Sequence, residues 1–198
     1  MLTGSTELLD RARIFSLHGM NREAWSRYSA GGKWAYDIVE PGFKYNMTDI
    51  QAALGLQQLR RFDRMQARRL EIVRTYNKAF GSHPAFLTPS TRDHVTNAWH
   101  LYVLRLRTSE LTINRNQFID EMTARNIGTS VHFIPIHMHS FYRDKYNFQP
   151  NDFPVAHAAF QNMLSLPLSP SMADQDVADV IDAVLDIRSK FSRRRRAA

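Results

Sequence analysis

The 198-residue sequence contains no cysteine. That absence excludes disulfides, thiolate metal sites and cysteine nucleophiles, and it fits a reducing compartment. Long apolar runs are missing as well, and none approaches the roughly 20 residues that a membrane-spanning helix requires. Residues Met1 to Asp10 show no basic segment followed by an apolar one, so no signal peptide is expected and the expected location is cytoplasmic. Lysine is scarce: Lys33, Lys44, Lys78, Lys145 and Lys190 are the only five, against 21 arginines. The net charge of +7 owes four units to the tail Arg193–Arg196, a run that reads as solvated and disordered. Without it the body is only mildly basic, which makes an anionic partner such as nucleic acid a weak expectation.

What is present is a globular composition, 43% hydrophobic and 23% charged, enough for one domain or for a small domain plus part of another. Residues 6–17 read as a helix that Gly19 can stop. Residues 19–45 mix Gly19, Gly31, Gly32, Pro41 and Gly42 with Trp25, Tyr28, Trp34, Tyr36, Phe43 and Tyr45. Ordered aromatic loops of this length are usually functional or packed against a partner. Thr48-Asp49-Ile50-Gln51 is a capping-box start. The helix it opens is expected to run to about residue 80, with an apolar stripe from Ile50 through Leu54 and Phe62 to Phe80. Arg60, Arg64 and Arg68 lie on another of its faces.

Beyond it, 81–94 reads as loop and 99–107 (WHLYVLRLR) as a strand. Asn114 caps a second helix, and 129–134 (TSVHFI) reads as a second strand stopped by Pro135. Residues 136–153 are loop-like, with a short helix onset at Asp152 and Pro154. Residues 164–168 (LSLPL) form a third short strand, and Ser171 caps a final helix carrying Val177, Val180, Ile181, Val184 and Leu185. This order predicts an α/β or α+β layer, a small sheet covered by helices.

Four segments carry candidate chemistry, the first being the aromatic loop Trp25–Tyr45, which could line a pocket or an interface or equally pack against another part of the chain. Lys44 and Asn46 lie just before a helix N-terminus, where free N–H groups and the helix dipole favour an anion; the alternative is a turn residue and a solvated charge. His132, His137 and His139 crowd one segment and are candidates for polar substrate contact or acid–base work. Packed, satisfied histidines are the equal alternative, and a metal ranks below both because the spacing fits no zinc pattern. The arginine stripe with the tail could meet nucleic-acid phosphates, but a solvated helix face explains it better.

Together these strings resemble the DegT/StrS-type sugar aminotransferases. The resemblance rests on Arg22-x-x-Trp25…Tyr28-Ser29, on residues 39–53 (VEPGFKYNMTDIQAA), on Ala98-Trp99-His100-Leu101-Tyr102, on His132-Phe133-x-Pro135-x-His137 and on residues 164–168 (LSLPL). It implies the aspartate-aminotransferase fold (fold type I) and a pyridoxal 5'-phosphate enzyme. That enzyme would move an amino group from glutamate to a nucleotide-linked keto sugar, for lipopolysaccharide or other polysaccharides. It also implies a homodimer in which the asparagine matching Asn46 reaches the cofactor phosphate of the partner subunit, and it puts His132 and His137 near the sugar-nucleotide site.

On this resemblance, residues 1–47 would be a remnant of the large cofactor domain, 48–80 an interdomain helix, 81–191 the small C-terminal domain and 192–198 a basic tail. The family's Schiff-base lysine lies in a Ser-x-x-x-Lys…Gly-Glu-Gly-Gly context that none of the five lysines shares, and Lys44 belongs to the GFKYN string. The expectation is therefore a C-terminal fragment with no catalytic residue and no metal ligand of its own, inactive alone and prone to self-association. Half of a split enzyme is one alternative, and a non-enzymatic module with a basic face is the other.

Overall fold

A computed structural model describes residues 4–21 and 36–193. The chain divides into two compact units, Met1–Arg60 and Arg61–Ala198.

In the first unit, α1 (Thr6–Ser16) starts on Ser5, whose Oγ accepts from the Leu8 N–H at 3.3 Å. It ends as Gly19 turns left-handed (φ 75°) and returns its N–H to the Ile14 carbonyl at 3.0 Å. The chain then comes back alongside itself. Phe43 N–H donates to Phe15 O at 2.7 Å, Tyr45 N–H to Ser16 O at 2.8 Å, His18 N–H to Phe43 O at 2.8 Å and Val39 N–H to Gly19 O at 2.9 Å. The crossing works because two glycines meet there. A Cβ on Gly42 would run into the backbone of Gly19 and His18, and one on Gly19 into the Glu40 carbonyl. Of the aromatic loop, Trp25, Tyr28 and Trp34 lie outside the described residues, as does Arg22. Tyr36, Phe43 and Tyr45 are exposed, and Phe43 stacks on Tyr45 with centroids 5.1 Å apart.

The long helix α2 (Asp49–Phe80) opens as expected: Thr48 N–H donates to Gln51 Oε1 at 2.9 Å and Gln51 N–H to Thr48 Oγ1 at 3.4 Å. Its early apolar residues Ile50, Leu54, Leu59 and Phe62 are exposed, whereas Ile72, Val73, Tyr76 and Phe80 are buried.

The second unit is built on a three-stranded antiparallel sheet, ordered β1 (Phe86–Leu87), β2 (Tyr102–Leu106), β3 (Met163–Leu166). The register pairs Phe86 with Leu106, Leu104 with Leu164 and Tyr102 with Leu166. Because successive side chains alternate, these six share one face, which is buried. The core adds Ile72, Val73, Tyr76 and Phe80 of α2, Phe118 and Met122 of α3 (Arg115–Ala124), and Val177, Val180, Val184 and Ile187 of α6 (Asp174–Lys190). The opposite sheet face carries Val103, Arg105 and Ser165. Two core tyrosines anchor their hydroxyls: Tyr76 donates to the Pro167 carbonyl at 2.9 Å and Tyr102 to Asn77 Oδ1 at 2.8 Å. Burial pushes both phenols well above the usual range.

Helix α3 has the expected Asn114 cap, completed by Gln117 into a capping box. Several expectations are corrected. The strand read over 99–107 begins only at Tyr102, because Trp99 sits at φ 47° with its N–H held by Asn97 Oδ1 at 2.8 Å. Residues 129–134 are not a strand; β3 is short and offers them a single pairing, Ser130 with Ser165. The stretch 136–153 holds a helix α4 (Ser140–Tyr146), closed by left-handed Asn147, and two 3-10 turns. Helix α5 (Pro154–Asn162) starts on its proline. Ser171 does not cap α6; Asp176 Oδ2 accepts from Ala173 N–H at 2.7 Å, and Ser171 turns back to Ser169 instead. Among the described residues no helix is long and apolar enough to cross a membrane.

Candidate functional site

Asn46 follows directly from the glycine crossing. The four backbone bonds between residues 15–19 and 39–45 fix the path of the chain up to Tyr45, and Thr48 then begins the α2 cap. Asn46 therefore sits on a short tether between two defined points, two residues ahead of a helix N-terminus. Its side chain forms no hydrogen bond with the described residues, and Oδ1 is buried without a partner. Leaving a buried acceptor unpaired costs about 1–3 kcal/mol, so Oδ1 calls for a donor, while Nδ2 is the end of this amide that can donate to an anion. The capping box uses the N–H groups of Thr48 and Gln51. Asp49, in the first turn, complements the dipole and moderates its pull on an anion. Lys44 pairs through its backbone with Leu17 and exposes its side chain.

The three histidines, alike in sequence, are held in three different ways. His132 is half-buried, and its Nδ1 lies 2.9 Å from the hydroxyl of Ser165, which is itself buried. His137 is 7% exposed; it packs against Phe153 and Phe148, and its Nε2 donates to the Pro150 carbonyl at 3.2 Å. The packed, satisfied alternative describes His137, which ties the 3-10 turn at 136–138 to the one at 150–152. His139 is exposed and precedes α4. Among the described residues no three His, Cys, Asp or Glu side chains form a group that could hold a metal ion.

A cleft of about 630 Å3 opens elsewhere in the second unit, between Arg125–Gly128 and α6. It is lined by Asp176, Asp179, Asp182 and Asp186 and contains neither Asn46 nor any histidine. Four carboxylates against Arg125 make it a poor receptor for an anionic ligand. Arg125 is already engaged, at 2.6 Å from both Glu121 and Asp186. Of the arginine stripe, Arg68 is spent on Glu71, Asp174 and the Met172 carbonyl, whereas Arg60 and Arg64 are exposed.

A pyridoxal phosphate site needs phosphate donors and a lysine. Toward the first need the described residues offer Asn46 Nδ2 and the N–H groups of the first turn of α2 that the capping box does not use. The described lysines do not fit the second. Lys44 and Lys78 are exposed, Lys145 lies over Phe141 and Tyr146, and Lys190 pairs with Glu121 at 3.3 Å. None has the desolvated setting that makes a lysine a nucleophile. The feature missed in the sequence is Ser165: it stands inside a string quoted above for its strand character, and only the fold sets it against His132.

The family model for the DegT/DnrJ/EryC1/StrS aminotransferases matches residues 1–185. Over 188 residues the chain is 48% identical to the spore coat polysaccharide biosynthesis protein SpsC of Bacillus subtilis, covering 94% of this chain and 48% of SpsC. It is 47% identical over 188 residues to the uncharacterized protein MJ1066 of Methanocaldococcus jannaschii, covering 95% of this chain and 49% of that protein. The chain thus spans about half the length of the curated relatives it matches. Its fold superposes with a TM-score of 0.78 on Spr1654 of Streptococcus pneumoniae, named as a sugar aminotransferase and solved in its PMP-form, at 32% identity over 95% of this chain and 46% of that one. Spr1654 is also known in a PLP-form.

Proposed function

The chain belongs to the DegT/DnrJ/EryC1/StrS aminotransferase family, has the fold type I architecture of its C-terminal part, and on that premise we propose that it is the C-terminal portion of a sugar aminotransferase in polysaccharide biosynthesis. Its substrates are glutamate and a nucleotide-linked keto sugar, and its cofactor is pyridoxal phosphate. The cofactor, when bound, supplies the electron sink that lets an amino group leave one carbon and join another. The observation that carries this reading is the placement of Asn46, whose Nδ2 is the donor, tethered by the Gly19–Gly42 crossing ahead of a capped helix.

In this reading each residue has a limited task. Asn46 donates to the cofactor phosphate, reaching the site of a partner subunit in a homodimer. His132 meets the sugar nucleotide. His137, buried and bonded to Pro150, shapes the wall beside it and does not touch the substrate. Residues 48–80 join the cofactor domain to the small domain. The Schiff-base lysine comes from polypeptide beyond these 198 residues, continuous with them or separate, so the 198 residues alone turn over nothing.

The test supplies purified chain with pyridoxal phosphate, glutamate and nucleotide-linked keto sugars, with and without a polypeptide carrying the lysine-bearing domain. Mass spectrometry follows replacement of the keto oxygen by an amine. Turnover only in the complemented mixture, lowered at least tenfold by Asn46→Ala and recovered in part at high cofactor concentration, is expected. Turnover by the chain alone overturns the outside source of the lysine, an Asn46→Ala complex with unchanged cofactor affinity overturns the role of Asn46, and no amination in the complemented mixture overturns the assigned activity.

A further inference from the structure

Ser165 is an unusual residue for its place. It lies in β3 between Leu164 and Leu166, is 5% exposed, and its side chain is on the sheet face opposite to theirs. A buried hydroxyl is retained where it has a partner, and the described partner of this one is His132 Nδ1 at 2.9 Å. The two residues are also held through the backbone. Ser165 N–H donates to Ser130 O at 2.7 Å, and Ser130 N–H donates to Ser165 O at 3.2 Å. Pinning Ser130 to Ser165 keeps His132, two residues on, within reach of the Ser165 hydroxyl.

The proton in that contact has two possible homes, and they are not equivalent. If Nδ1–H donated to the hydroxyl, the buried O–H of Ser165 would have no acceptor among the described residues. If the hydroxyl donates to Nδ1, only spare acceptor capacity is left over, which costs far less than an unmade donor. The second arrangement puts the ring proton on Nε2, the atom without a described partner.

We propose that Ser165 is a positioning residue: its hydroxyl donates to His132 Nδ1 and fixes the ring as the Nε2–H tautomer. His132 thereby offers a hydrogen-bond donor, with no acceptor lone pair, to whatever meets Nε2. The ligand atom it suits is an acceptor oxygen. A general base at Nε2 is excluded while the Ser165 contact holds. This rests on the preceding section's reading of His132 only for the claim that the oxygen belongs to the sugar nucleotide.

The test needs no substrate. Long-range proton–nitrogen correlation spectra of the chain, recorded with the imidazoles neutral, resolve the protonated from the bare ring nitrogen. His132→Gln assigns the signals among the eight histidines. The expected wild-type pattern is a single tautomer, with Nε2 protonated and Nδ1 bare. Ser165→Ala should collapse part of the separation between the two nitrogen shifts as the tautomers mix, and Ser165→Thr, which keeps the hydroxyl, should restore it. A protonated Nδ1 in the wild type, or an unchanged separation in Ser165→Ala, overturns the proposal. In the complemented enzyme, Ser165→Ala should raise KM for the sugar nucleotide and leave KM for glutamate alone. A wild-type tautomer as expected, with both KM values unmoved, would keep Ser165's role in setting the ring and overturn the placing of the sugar nucleotide at Nε2.

Discussion

Replacing Tyr76 by Phe removes one oxygen from the centre of the second unit and changes almost nothing else. The ring is fully buried, stacked on Phe80 and edge-on to Tyr102, so phenylalanine fills the same space. The lost hydroxyl donates to the Pro167 carbonyl. The net value of such a bond is about 0.5–1.5 kcal/mol, and a buried acceptor left unmade costs about 1–3 kcal/mol. A backbone carbonyl cannot rotate towards water, so Tyr76→Phe should cost about 2 kcal/mol, within those limits. Tyr102→Phe is the control. Its partner is the Asn77 side chain, which can turn to solvent, so only the net term of about 1 kcal/mol should be lost. Urea unfolding followed by far-UV circular dichroism reads both, and for a chain of this length each kcal/mol lowers Tm by about 2–4 °C. A midpoint shift for Tyr76→Phe equal to or smaller than that for Tyr102→Phe would refute the argument, because it would mean that the Pro167 carbonyl is hydrated when the phenol is gone.

Two further outcomes follow from the same structure. Glu121 accepts from Arg125 and Lys190, and those cations hold its carboxyl below the usual range; the stabilisation is present above the unfolded value of about 4.3 and is lost as pH falls through the depressed folded value. Urea midpoints measured from neutral to acid pH should therefore fall less steeply for Glu121→Gln than for the wild type, and parallel curves would remove Glu121 from the acid response. Gly42→Ala drives a Cβ into the backbone of Gly19 and His18, so it should destabilise the crossing by about 1–3 kcal/mol. Amide exchange at His18, Val39, Phe43 and Tyr45 should accelerate while β2 stays protected, and unchanged protection at those four amides would show the crossing to be slack.

The helices were legible where side chains do local work. The Thr48–Gln51 and Asn114–Gln117 boxes are visible as strings because cap and partner lie three residues apart. The final helix was legible in its apolar face, but its start was not, since Asp176 reaches back to Ala173 without any serine or threonine at the cap. The strand expected over 129–134 failed for a non-local reason. TSVHFI has strand-like residues, yet a strand needs an edge to pair with, and β3 provides only Ser165. Helix α4 was hidden because it lies among aromatics and histidines that read equally well as loop. The candidate site divides the same way. The position of Asn46 just ahead of a capped helix was legible from the string that holds it, whereas the different settings of His132 and His137 depend on Ser165 and Pro150, 33 and 13 residues away.

Helix α2 is one run of hydrogen bonds with two unlike ends. Ile72, Val73, Tyr76 and Phe80 are locked into the core, while Ile50, Leu54 and Leu59 are exposed. Opening the last turns means dismantling the core, but opening the first turns breaks little beyond the Thr48–Gln51 cap. Local opening is cheap where few apolar contacts resist it, so amide protection along α2 should fall towards Asp49, the end expected to have the shorter lifetime. The segment that carries Asn46 is joined to that short-lived end, and whatever grips Asn46 from outside would also decide how long the first turns of α2 stay wound.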